Sequence, residues 1–558
     1  MQKIKLLGFL PACLAGLLFW PASCWAEATQ AGANSADTSG FGMISTFFVF
    51  ALFSLLTAQW AAEKSREDIK RQPELHTLNG VQNGLAITGA YVTVATLMGI
   101  PALAVDGGQV AMVCLLGLFM GWPLIALLLS ERLYHLGDYT FADFLASRFP
   151  GRLVRFFAAL ATLAIAFPCL AAQLLGAGLL LCFLFDFEYW LGVGIAGVLL
   201  LFYLGGKGLL AMTWLQIVKA IFLFFGVLAF AVLIFWNLDV APDGVSEAVS
   251  RLNGMLNDEK AAEDGLAFPA FAEPGVLFSL GGILFLGSLG LPFTLSRFPL
   301  TSNAKEARKS ALCATGLIGM FLILMGVLCH GVARIYQEGL SLGAFPVPSG
   351  GDNLTALYLF RALGGEIVTG AFAALAAITL IAVAAKLVRV MVAAVSYDIY
   401  VWGICRGKAN PHREQSLIRI MPFFLFAGAI VLAQGLAGQN LMLFVAFVFS
   451  IAASSTMPVL FMALFWKRCT AIGLVTGGAC GLILSLAAAP FSPFLRAGEP
   501  LAGGNDPFFF TTLPGLFPVG IAFFLIWLVS LLDGSQAARA AQMDWPAHEF
   551  RMETGLSK

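Results

Sequence analysis

The chain has 558 residues, 59% hydrophobic and 11% charged, and its 32 basic and 32 acidic side chains balance to zero net charge. A soluble domain carries about 25% charged residues, so this composition lacks the polar surface to cover a water-soluble globule, and the balanced charge leaves no footprint for nucleic acid. Apolar runs of about 20 residues, the length that spans a hydrocarbon core, recur along the chain, whereas a membrane β-barrel would show short alternating segments. The expected class is an all-α polytopic membrane protein.

The chain opens "MQKIKLLGFLPACLAGLLFWPASCWA". Lys3 and Lys5 precede a short apolar run and small residues up to Ala26, the pattern of a secretory signal peptide over 1–26. An uncleaved first helix is the competing reading. A short periplasmic segment, 27–40, follows.

Thirteen spans are predicted, at approximately 41–62, 80–104, 109–130, 154–183, 190–206, 213–237, 275–294, 311–335, 367–396, 418–438, 440–466, 471–490 and 512–533. Basic residues test the count. Lys64, Arg66, Lys70 and Arg71 follow the first span, and Arg148, Arg152 and Arg155 the third. Arg297, Lys305, Arg308 and Lys309 follow the seventh, and Arg406, Lys408 and Arg413 the ninth. The alternate loops are neutral or acidic. Positive-inside bias then places the N-terminus in the periplasm and the C-terminus in the cytoplasm of a bacterial inner membrane. The transporter domain would occupy 41–535, with a cytoplasmic tail at 536–558. No Walker motif, zinc site or nucleophile elbow is found, so neither an enzyme nor an ATP-driven pump is expected. The ten cysteines mostly lie singly in apolar runs, without metal-ligand spacing, and are expected to pack as small residues.

Two spans are interrupted. The second reads "NGLAITGAYVTVATLMGIP" and the seventh "LGGILFLGSLGLPFTLSRF". Glycine and proline weaken the helical ladder, and freed backbone groups at membrane depth are tolerated only where they line a cavity or meet protein. A pair of such helices in corresponding positions of two halves marks the binding site of inverted-repeat transporters. Close packing through small residues is the alternative. Thr88, Tyr91, Thr93 and Thr96 in the second span, and Gln173 in the fourth, can orient a polar solute or merely bond a neighbouring helix. Gly287, Pro292 and Phe293 at the second break complete the candidate solute site.

The segments "NGVQNGLAITGAYVTVATLMGIPAL", "GWPLIALLLSERLYHLGDYTFADFLASRF", "LAAQLLGAGLLL", "AMTWLQIVKAIFL", "GLPFTLSRF" with "NAKEARKS", and "VSYDIY" resemble the solute:sodium symporter family, most closely its acetate-permease-like, monocarboxylate branch. The resemblance spans roughly 41–535. It implies a five-plus-five inverted-repeat core, with repeats near 80–237 and 275–438, plus leading and trailing helices. It also implies a sodium site between the first and eighth core helices, with carbonyls near Thr88 and Tyr91 and oxygens from Thr379 and the positions of Ala382 and Val383. Some bacterial relatives work with a small two-helix companion subunit. The chain departs from the family where Ala90, Ala382 and Val383 are apolar and where Phe293 stands for a frequent histidine. Sodium, a hard ion, prefers several oxygens. The coupling ion is therefore read as sodium or a proton, and no other cofactor or metal is expected.

Lys386 and Arg389 sit in the apolar run "AAITLIAVAAKLVRVMVAAVSYDIY", where each cation costs about 2.5–3.5 kcal/mol at the bilayer centre. Lys386 shares a face with Ala382, and its stem leans back over that turn, so its ammonium could stand in sodium's place. Alternatively, one or both cations attract a carboxylate substrate, or both snorkel to the inner interface. Arg389 and Ser396 continue the stripe toward the cytoplasm and are read as a gating path. The leading expectation is a secondary active symporter for a small organic solute, a short monocarboxylate such as acetate, working by alternating access. A transporter-like solute sensor that signals through a partner is the alternative.

Overall fold

The computed structural model describes residues 41–71, 78–105, 108–136, 140–204, 209–238, 274–342, 353–489 and 515–556. The signal peptide, the 27–40 segment and the acidic loop within 239–273 lie outside the described residues. The described residues are helical apart from short connections and one isolated bridge between Leu78 and Thr301.

The helices are α1 (Phe41–Arg71), α2 (Gly80–Tyr91), α3 (Ala95–Ala102), α4 (Gln109–Leu136), α5 (Phe141–Ala146), α6 (Arg152–Phe185), α7 (Tyr189–Leu204) and α8 (Leu209–Leu238). There follow α9 (Pro274–Leu289), α10 (Pro292–Leu295), α11 (Ala304–Leu342), α12 (Thr355–Ala393, continuing to Ile404), α13 (Pro411–Gly435), α14 (Leu441–Ser454) and α15 (Thr456–Phe465). Last come α16 (Ala471–Ala487), α17 (Leu516–Leu532), α18 (Gln536–Met543) and α19 (Trp545–Thr554). Among the described residues, seven helical stretches, α14 with α15 counted as one, are long and apolar enough to cross a membrane, or up to 10 if each bent pair is one span. Shorter apolar helices cover 41–53, 189–201 and 471–487. Within the described residues, each of the spans predicted between 41 and 533 coincides with a helix.

Both interruptions are real breaks. The α2–α3 pair bends by 57°, and α9 with the segment Pro292–Leu300 bends by 42°. At the breaks Val92 (φ −68°, ψ 121°) and Leu291 (φ −72°, ψ 108°) leave the helical region. Pro292 then starts α10 at the position where its missing N–H costs nothing.

The two breaks occupy matching environments. α2 packs on α8 and α11, and α9 packs on α4 and α14. Glycine permits the closest approaches: a Cβ on Gly89 would stand 2.1 Å from the carbonyl oxygen of Gln216, and one on Gly287 would stand 2.4 Å from that of Phe449. Backbone therefore meets backbone at both breaks.

α12 crosses the centre of the molecule and packs on α1, α6 and α8. It is kinked at Gly365 (φ 64°, ψ −160°), and beyond Ala393 it continues as a π-helix over Ala394–Ile404. That extension carries Asp398 into the interior, where it is 2% exposed.

Candidate functional site

The break between α2 and α3 frees carbonyls that point at other helices. The ammonium of Lys219, on α8, donates to the carbonyl oxygens of Gly89 and Val92, each at 2.6 Å. Lys386, on α12, donates to the carbonyl oxygen of Ala90 at 2.8 Å. Its Nζ also sits 4.2 Å from the ring centroid of Phe293 at the second break, in cation–π range. Gln216, one turn before Lys219, donates its Nε2 to the carbonyl oxygen of Ala382 at 2.5 Å. Two broken helices and two cation-bearing helices therefore meet at one point.

The energetics explain why both lysines are tolerated. Lys219 is 0% exposed and Lys386 6%. Burying an ammonium without partners costs several kcal/mol, and each orphaned carbonyl about 1–3 kcal/mol. Pairing the two kinds of group offsets both costs. Among the described residues, no cluster of His, Cys, Asp or Glu could hold a metal ion.

Below Lys386 a partly open cavity of about 90 Å³ runs along α12 toward Asp398. Its wall includes Thr162, Thr213, Gln216, Phe293, Arg297 and Arg389. Arg297 is 8% exposed, and its Nη1 has no hydrogen-bond partner.

At the far end an ion-pair cluster ties α5, α6 and α12 together. Thr140 donates its hydroxyl to Asp398 at 2.9 Å. Arg155 pairs with Asp143 at 2.9 Å and with Asp398 at 3.5 Å, and its guanidinium lies 4.8 Å from the centre of the Trp402 ring.

The sequence-predicted residues divide. Pro292, Phe293, Lys386 and Arg389 share the cavity wall. Lys386 bonds inside the protein and does not snorkel to water. Thr88 and Thr379 are buried, but their hydroxyls return to their own helices, to the carbonyls of Gly84 (2.9 Å) and Leu375 (2.8 Å). The hydroxyl of Tyr91 donates to the carbonyl of Leu118 at 2.8 Å, and its ring packs edge-on to Trp122. Thr93 is partly buried at the break, and Thr96 is buried within α3. Gln173 is 1% exposed, with one long hydrogen bond to Cys169 and no partner for Oε1. Gly287 presses on Phe449, Ala382 and Val383 are buried in α12, and Ser396 is buried beside Asp398 in sequence.

Sequence reasoning missed Lys219, Gln216, Arg297 and Asp398 as site residues. The signal for Lys219 was present, a single cation within the apolar run of α8, and it is the same signal that singled out Lys386.

Solved structures align with this chain. A Na+-coupled sialic acid symporter, in a substrate-bound outward-open state, aligns with a TM-score of 0.67 at 17% identity, over 88% of this chain and 98% of that one. Mhp1, a nucleobase-cation-symport-1 family transporter, aligns at 0.49 with 12% identity, over 84% and 97% of the two chains. A mutant manganese transporter of Eremococcus coleocola aligns at 0.47 with 15% identity, over 83% and 94%. In sequence, residues 76–481 match the model of the Sodium:solute symporter family. That stretch holds both breaks, both lysines and the whole cavity, and it makes up well over half of the chain, which therefore belongs to the sodium:solute symporter family.

Proposed function

We propose that the chain is a secondary transporter of a short monocarboxylate, acetate among its cargoes, that works by alternating access without a bound sodium at the family's cation position. The ammonium of Lys219, flanked by Lys386, takes the place of that ion. The observation that carries this reading is the double hydrogen bond of Lys219 to the carbonyls of Gly89 and Val92. A sodium ion between the first and eighth core helices would draw on those freed carbonyls, and an ammonium on them leaves no room for it. The apolar side chains of Ala90, Ala382 and Val383 around the same point offer sodium no further oxygens.

The cargo reading rests on charge. Among the described residues, Lys386, Arg389 and Arg297 line the cavity below the break, and Asp398 stands at its far end. A cation-rich, partly apolar cavity suits a small organic anion better than a sugar or a cation.

Reconstitution into vesicles tests both statements. Labelled acetate is offered with a sodium gradient alone and with an inward proton gradient alone. Uptake driven by the proton gradient and indifferent to sodium is expected. Strict sodium dependence overturns the coupling reading, and failure of every monocarboxylate from formate to butyrate overturns the cargo reading.

A further inference from the structure

The wall of the cavity below Lys386 has an unusual charge balance. Among the described residues, its wall carries Arg297 from the segment after the second break, Lys386 and Arg389 from α12, and one carboxylate, Asp398. That carboxylate is already engaged, accepting from Thr140 and pairing with Arg155, which lies outside the cavity. Arg297 is close enough to both Lys386 and Arg389 for their charges to act on it. Like charges in a low-dielectric wall repel far more strongly than in water.

Arg297 carries the second, independent observation. It is more than nine-tenths buried, yet its Nη1 has no hydrogen-bond partner. A buried guanidinium arm without an acceptor is costly, and its fork geometry matches two carboxylate oxygens. The hydroxyl-bearing Thr162, Thr213 and Ser296 share the wall, and Phe293 and Val390 add apolar surface for a short alkyl group. Along α12, Lys386 lies in the α-helical part and Asp398 in the π-helical extension, more than three turns apart. The anion-attracting part is thus at one end of the cavity and the closing ion pair at the other.

We infer that this cavity is a carboxylate-binding site in which Arg297 and Arg389 hold the anion's oxygens and Lys386 faces it from the break. The site lies toward the 405–410 loop, the side that the charge pattern assigns to the cytoplasm, and it serves as the station from which cargo leaves. The inference rests on the proposed reading of the cargo as an organic anion, and it adds the residues that recognise the charge.

Binding to the purified full-length protein tests it, read as the thermal unfolding shift produced by acetate, by propionate and by acetamide, the neutral analogue of acetate. The two carboxylates are expected to raise the melting temperature of the wild type and acetamide to leave it unchanged. Arg297→Gln and Arg389→Gln should each weaken acetate binding by about tenfold or more, the loss of one charge-assisted contact. Lys309→Gln, an exposed cation outside the cavity, should leave it intact. Arg389 is only partly buried, so its variant keeps the test open if Arg297→Gln does not fold. Wild-type acetate affinity in the Arg389→Gln variant overturns the site, as does equal binding of acetamide. Vesicle uptake separates this failure from that of the transport reading. Binding that is lost in Arg389→Gln without any uptake by the wild type keeps the site and overturns the transport reading. Uptake by the wild type together with binding indifferent to both arginines does the reverse.

Discussion

The ammonium of Lys219 lies 2.6 Å from the carbonyl oxygen of Gly89, at the point where the first broken helix opens. The contact joins α8 to α2 through a charge, and a second contact to Val92 spans the break itself. The broken helix is thereby held from both sides, since Lys386 of α12 takes the intervening carbonyl of Ala90.

Removing that charge should expose what it replaces. Lys219→Ala leaves the carbonyls of Gly89 and Val92 without their donor, at a cost of about 1–3 kcal/mol for each group. The variant should melt well below the wild type in detergent. It should also regain a response to sodium, because the freed carbonyls can then take an ion. Melting curves in sodium, potassium and choline chloride check this, with a sodium-specific rise expected in the variant and none in the wild type.

Gly89→Ala should damage the same junction sterically. The added Cβ would stand 2.1 Å from the carbonyl oxygen of Gln216, and backbone cannot rotate away as a side chain can. Overpacking of a buried contact costs about 1–3 kcal/mol or more. Folded yield by gel filtration should fall sharply, whereas Gly194→Ala, with open space at its Cβ, should behave as the wild type.

The ion-pair cluster at the end of the cavity makes a coupled prediction. Arg155→Gln leaves Asp143 and Asp398 facing each other without their shared cation. Breaking a buried pair costs about 3–5 kcal/mol. Adding Asp398→Asn removes one of the stranded charges and should recover part of the loss, so the double variant should melt above Arg155→Gln alone. Additive losses would show that Arg155 and Asp398 do not act on each other.

The tail predicts a pH dependence. Trp545 of α19 packs over the guanidinium of Arg148, which also donates to the carbonyls of Ala463, Trp466 and Lys467 at the end of α15. The ring of His135 meets the carbonyl of Met552 at 2.7 Å. Burial, with the charges of Arg148 and Arg551, pushes His548 down from its ordinary 6.5 to about 4. When the tail undocks, His548 recovers its ordinary affinity for a proton, so the undocked state binds more protons between those values. Docking is therefore full above about pH 6.5 and weakens as the pH falls toward 4. Hydrogen exchange over Trp545–Thr554 should speed up on acidification, and His548→Gln should flatten that response.

Much of this was legible in the sequence. Runs of apolar residues marked the helices, and the glycine and proline clusters around Gly89 and Pro292 marked both breaks. Lys386 stood out because a cation in an apolar helix demands a reason. Its partner did not, because Ala90 contributes a backbone oxygen and no residue type announces a freed carbonyl. Lys219 was visible in the same way but read as part of a motif. The hydroxyls misled for a related reason: Thr88 and Thr379 bond back to their own helices, a choice that residue identity does not reveal. Asp398 fell outside the predicted span because the π-helical turn over Ala394–Ile404 extends α12 beyond where hydropathy ends it.

The proposed role of Lys219 in place of a coupling sodium ion predicts acetate transport without sodium. Doubly labelled uptake into vesicles measures it most directly, counting sodium and acetate that enter together under a proton gradient. Acetate entering with no accompanying sodium is the predicted result. A fixed ratio of one or more sodium ions per acetate, kept across sodium concentrations, would contradict the account.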